Sequence, residues 1–123
     1  MLASAKLVAF VTINNAARAR AFYRDVLGLR LVSEDNFALV FDANGTMLRV
    51  AIAAHMTAAP YTVLGWAVAE IAATVRQLAA AGVRFELYPG MQQDELGIWQ
   101  SPSGARVAWF KDPDGNTLSV SQH

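Results

Sequence analysis

Gly45-Thr46-Met47-Leu48-Arg49-Val50 returns late in the chain as Gly115-Asn116-Thr117-Leu118-Ser119-Val120. Each time a glycine turn opens a strand whose apolar residues alternate, Leu48 with Val50 and Leu118 with Val120. Outward from these strands the order of elements also repeats. In the first half, residues 6–13 alternate as a strand, and Asn14 and Asn15 can cap a helix after it. Residues 16–27 then place Ala19, Phe22, Tyr23, Val26 and Leu27 on one helical face. Gly28 stands where a left-handed C-terminal residue belongs. Short strands are predicted at 29–33, 37–41 and 46–52, with turns at Glu34-Asp35-Asn36 and Asp42-Ala43-Asn44-Gly45.

The second half predicts a strand at 62–68, a helix over 70–81 with Ile71, Val75 and Leu78 inward, and Gly82 closing it. Gly28 and Gly82 are 54 residues apart. Further strands are predicted at 83–87, 105–111 and 116–121, the last two flanking Asp112-Pro113-Asp114-Gly115. A repeat on this scale implies two copies of one βαβββ module. Residues 5–53 form module one, 54–61 a joint and 62–121 module two, within one domain spanning 1–123. Segment 88–104 has no counterpart in the first module. Long insertions in terse domains tend to be lids or binding loops.

Apolar residues make up 54% of the 123, and charged ones only 16%, so the chain can bury a core. Ten basic and ten acidic side chains cancel, which argues against nucleic acid as a partner. Low charge with positive mean hydropathy, and short strands whose edges need cover, point to a homodimer. Without cysteine there is no disulfide or thiolate zinc site. Too few residues precede Lys6 for a signal peptide and no apolar run is long enough to span a bilayer. The expectation is a cytoplasmic protein with no membrane partner.

Phe22-Tyr23-Arg24-Asp25-Val26-Leu27-Gly28-Leu29 near the start and Asp112-Pro113-Asp114-Gly115-Asn116 near the end, in this order and separation, resemble the glyoxalase/bleomycin-resistance/extradiol-dioxygenase (vicinal oxygen chelate) superfamily. The resemblance covers nearly the whole chain. It implies an α+β fold in which two tandem βαβββ modules form a cupped, partly open mixed β-sheet barrel backed by helices. It also implies, for the family's metalloenzymes, a divalent ion held by His, Gln or Glu from the first and last strands of each module. The ion then acts as a Lewis acid toward two substrate oxygens.

Counted from Phe22, those positions fall at about Val8 and Val63 on the first strands and at Arg49 and Ser119 on the last. Valine has no donor, arginine brings a fixed positive charge, and a lone hydroxyl is a poor ligand. One-residue shifts reach only Leu7, Ala9, Thr62, Leu64, Leu48, Val50, Leu118 and Val120. The expectation is no metal and no cofactor.

Strand parity would line the cup with Val8, Phe10, Thr12, Phe37, Leu39, Phe41, Met47, Arg49, Ala51, Val63, Gly65, Val107, Trp109, Ser119 and Ser121. Mostly apolar walls with a few polar groups are the character of a ligand pocket, although a small barrel can also fill itself with side chains. The candidate ligand-binding residues are Arg49, Phe10, Trp109, Ser119, Trp99 and Phe37, with Arg49 as an anion anchor unless Asp94 or Glu95 pairs with it. Tyr88 and Trp99 could stack on a planar ligand or simply pin the loop. Glu95 and Asp94 are the candidate general bases. His55, alone in the joint, reads first as a solvated residue, and no nucleophilic triad can be assembled.

Three readings stay open: a metal-free binder of a small apolar or anionic molecule, of sequestering or resistance type; a lyase, isomerase or dioxygenase-like enzyme that is metal-free or uses relocated ligands such as His55 and Glu95; and a structural dimer.

Overall fold

A computed structural model describes residues 1–123, which fold as two compact units, Met1–Thr57 and Ala58–His123. The first unit runs β1 (Val8–Ile13), α1 (Ala16–Arg20), a π-helical turn (Ala21–Val26), β2 (Arg30–Glu34), β3 (Ala38–Ala43) and β4 (Thr46–Ile52). Its sheet has the order β1-β4-β3-β2, with β1 parallel to β4 and the other pairs antiparallel. The second unit runs β5 (Thr62–Ala67), α2 (Ile71–Ala80), β6 (Trp99–Gln100), β7 (Arg106–Lys111) and β8 (Thr117–Gln122). Its order, β5-β8-β7-β6, repeats the same pattern, with β5 parallel to β8.

Local chemistry explains where these elements start and stop. Asn15 Oδ1 accepts from Arg18 N at 3.0 Å and caps α1. Asn14 turns its amide elsewhere, donating to Ala53 O and Ala54 O and fastening the end of β1 to the chain leaving β4. Gly28 and Gly82 both sit at positive φ, where a Cβ would crowd the backbone. Asp112 organises the β7–β8 turn: Oδ1 accepts from Asp114 N and Asn116 N, and Oδ2 from Asn116 Nδ2.

Each sheet has one buried face. In the first unit Val11, Ile13, Leu39, Phe41, Leu48 and Val50 are buried with Ala19 and Tyr23. In the second, Ala108, Phe110, Leu118 and Val120 are buried with Ile71 and Val75 of α2. Truncating a ring such as Phe110 to alanine removes about 3–5 kcal/mol in sites of this kind, much of it the cavity left behind.

The structure departs from the expected elements in four places. Residues 16–27 are not one α-helix; the second half widens into a π turn, with Leu27 N donating to Phe22 O at 2.9 Å. Over six residues an apolar pattern does not separate the two pitches. The strand expected at 83–87 shrinks to a bridge from Phe85 to Phe110, and the outer strand is Trp99–Gln100 instead. Val63 is not in register but forms a bulge between Thr62 and Leu64. The expected facing of β3 is reversed: Leu39 and Phe41 pair with Val50 and Leu48 on the buried face, while Val40 and Asp42 share the open face with Arg49 and Met47.

Candidate functional site

In the second unit the open sheet face is built in rows across β5, β8 and β7. Thr62, Thr117 and Lys111 form one row, and Gly65, Ser119 and Trp109 the next. Ala67, Ser121 and Val107 form the third, with Trp99 beside Val107 on β6. The first row and Trp109 floor a basin of about 610 Å³, walled by Tyr61, Tyr88 and Met91. Tyr88 meets Trp109 edge to face, centroids 5.6 Å apart, and Trp99 lies tilted against the same indole at 6.1 Å. Three aromatic rings thus brace one another, which limits the rotamer freedom a ligand would have to freeze. Burial, with the charge of Glu86, raises the Tyr88 phenol above its usual range, so it stays a donor.

The wall around Tyr88 is held by one side chain. Gln93 Oε1 accepts from Tyr88 N at 2.8 Å, while Nε2 donates to Glu86 O and Gly97 O, each at 2.9 Å. These bonds take the place of a ladder in this segment, which is why it is not a regular strand.

The first unit has its own open face. Val8 neighbours Met47, and Phe10 and Val40 flank Arg49 on either side. Arg49 is half-buried and takes no part in the salt bridges Arg20–Glu34, Arg24–Asp25 and Arg30–Asp42. Phe37 precedes β3 and is exposed. The candidate ligand residues therefore divide, with Phe10, Phe37 and Arg49 in the first unit and Trp99, Trp109 and Ser119 together in the second.

The candidate bases lie apart from the basin lining. Asp94 Oδ1 accepts from Leu96 N and Ile98 N and so shapes its own loop. Glu95 rims a small groove with Val75, Ala79 and Phe85 on the α2 side. His55 is exposed in the segment leaving β4. Sequence reasoning does not single out Lys111, Thr62, Thr117, Met91 or Gln93. Lys111 and Thr117 are within its reach, because each lies two residues along its strand from a residue that it does single out.

The two sheets and their shared strand order define the class: a vicinal-oxygen-chelate type fold. The family model for the Glyoxalase/Bleomycin resistance protein/Dioxygenase superfamily matches residues 6–120, and the chain belongs to that superfamily. Among solved structures it is similar to a glyoxalase family protein from Enterococcus faecalis (19% identity, 98% of this chain and 99% of that one, TM-score 0.76). It is also similar to a lactoylglutathione lyase from Agrobacterium tumefaciens (19%, 97% and 93%, 0.74). A superfamily member from Sphaerobacter thermophilus is comparable (23%, 95% and 97%, 0.69). At these identities the likeness speaks for the fold. No curated protein matches the chain.

A divalent ion does not fit the residues at the inferred ligand positions. Val8 and Val63 offer hydrocarbon, Arg49 a cation and Ser119 one hydroxyl, and no three His, Cys, Asp or Glu side chains gather anywhere in the structure.

Proposed function

We propose that this protein binds a small, planar organic anion on the open face of its second unit, without a metal ion. One observation carries the reading: the roughly 610 Å³ basin in which Trp109 and Tyr88 supply an aromatic wall beside Lys111, Thr62 and Thr117. Its size and mixed lining suit a ligand of one or two rings, with apolar surface for the body and a few donors for the head group. Lys111 is exposed at the rim, so its charge favours encounter more than affinity. Arg49, half-buried between Phe10 and Val40, offers a separate cationic position in the first unit. Sequestration, with the ligand released unchanged, is the activity this arrangement supports best, because neither candidate carboxylate lines the basin. We also propose that the working form is a homodimer.

Calorimetric titration with naphthoate tests the ligand reading. Saturable binding is expected, weakened about tenfold or more by Trp109→Ala and left within about twofold by Glu95→Gln. Absence of saturable binding, or binding indifferent to Trp109, removes this function. Arg49→Ala in the same titration reports whether the first unit contributes.

A further inference from the structure

Gly65 and Ser119 stand opposite one another across the β5–β8 ladder, and Trp109 flanks Ser119 on its other side. A Cβ built on Gly65 would lie 2.7 Å from Ser119 Oγ, closer than side chains approach, and 3.5 Å from Ser119 O. Gly65 is not among the positive-φ glycines, so its backbone would accept alanine. Its missing side chain therefore supplies space and not conformation.

The space has a polar floor. Ser119 is 9% exposed, and its hydroxyl has no hydrogen-bond partner within the chain. Ser121, next on the same face, is already engaged with His123 Nε2 at 3.0 Å. In the first unit the equivalent ladder position is filled by Phe10 opposite Arg49. Only the second unit pairs a glycine with a hydroxyl here. The hydroxyl is not wholly buried and still meets solvent, so a ligand's acceptor can replace water there.

We infer that Gly65 and Ser119 form a notch, one row along the strands from the basin, that takes a flat oxygen-bearing group, a carboxylate or a carbonyl, of a ligand whose ring lies on Trp109. The inference rests on the proposed ligand reading of the basin. With no Cβ on Gly65, Ser119 Oγ is left uncovered from the β5 side. A planar carboxylate can enter edge-on and accept from Ser119 Oγ, while a tetrahedral sulfonate cannot bring an oxygen down without pressing the others against the walls.

The test compares naphthoate with naphthalene sulfonate by calorimetry on four proteins: wild type, Ser119→Ala, Gly65→Ala and the double variant. Wild type is expected to favour the carboxylate by about tenfold, and each variant to lose that preference while its sulfonate affinity stays within about twofold. The double variant guards against misfolding. With the hydroxyl gone, the new Cβ meets only Ser119 O at 3.5 Å and Ser119 Cβ at 4.0 Å, both ordinary contacts, so the melting temperature should match wild type. Carboxylate preference that survives Ser119→Ala, or equal affinities in wild type, overturns the notch and leaves the basin reading standing. Failure of wild type to bind either probe overturns both.

Discussion

Asp35 shows how much one side chain decides in this fold. Its Oδ1 accepts from Phe37 N at 2.8 Å and Ala38 N at 3.0 Å, closing the turn that delivers β3. Those two bonds, joined by the charge of Arg49, hold its carboxyl below the ordinary value of 3.8. A carboxyl whose folded pKa is depressed adds stability above the unfolded value and loses it as pH falls through the folded one. The melting temperature should therefore drop as the protein is acidified from about pH 5 downward. Glu34 and Asp25, lowered by bonds from Arg20 and Arg24, act in the same direction. Asp35→Asn keeps an acceptor for the turn but not the titration. Its melting temperature should fall less steeply with acid than that of wild type, and parallel acid profiles would refute the assignment. Asp35 is legible as a turn residue from sequence, as are Asn15, Gly28, Gly82 and Asp112, because each answers a demand made by its immediate neighbours.

At the level of elements, the segment between α2 and β7 depends on a residue that no periodicity announces. Gln93 bonds three backbone groups of Glu86, Tyr88 and Gly97, and so holds the Tyr88 wall in place. Gln93→Ala would leave these groups without that partner, a loss of about 1–3 kcal/mol by the usual cost of such groups. Amide exchange should accelerate at Tyr88 while the β7–β8 ladder keeps its protection; unchanged exchange at Tyr88 would deny Gln93 this part. Composition does not say which member of the polar run Gln92 to Glu95 turns inward. The facing of β3 is lost for a related reason. Ala38 and Val40 make its second face apolar too, and a one-residue slip reverses every side chain. The bulge at Val63 carries no sequence mark at all. The element order, the placement of the helices and the positions of Arg49 and Ser119 on their strands are readable because the module is written twice. The basin is only half readable, since Lys111, Thr62 and Met91 acquire their role from pairing across strands.

Several large apolar side chains stand exposed on the molecule, among them Leu7, Phe10, Phe37, Tyr61 and Leu87. On the open face of the first unit Phe10 is 60% exposed, Met47 44% and Val8 39%, and the β1–β4 register makes Val8 and Met47 immediate neighbours. Patches of this sort on a small chain mark an interaction surface. A second copy is the partner that the composition favours, because ten basic and ten acidic side chains leave no net charge for two copies to repel one another with. Light scattering on the purified chain should therefore give twice 13.3 kDa at micromolar concentration. Phe10→Asp would remove the largest apolar side chain of the patch and set a charge in its place, beside Arg49, and should shift the mass to that of the monomer. The side chain is exposed within its own unit, so far-ultraviolet circular dichroism should stay that of the wild type. A monomeric mass for wild type across the micromolar range ends the dimer proposal. A dimer indifferent to Phe10→Asp moves the interface away from this face and returns Phe10, with Arg49 beside it, to the ligand question.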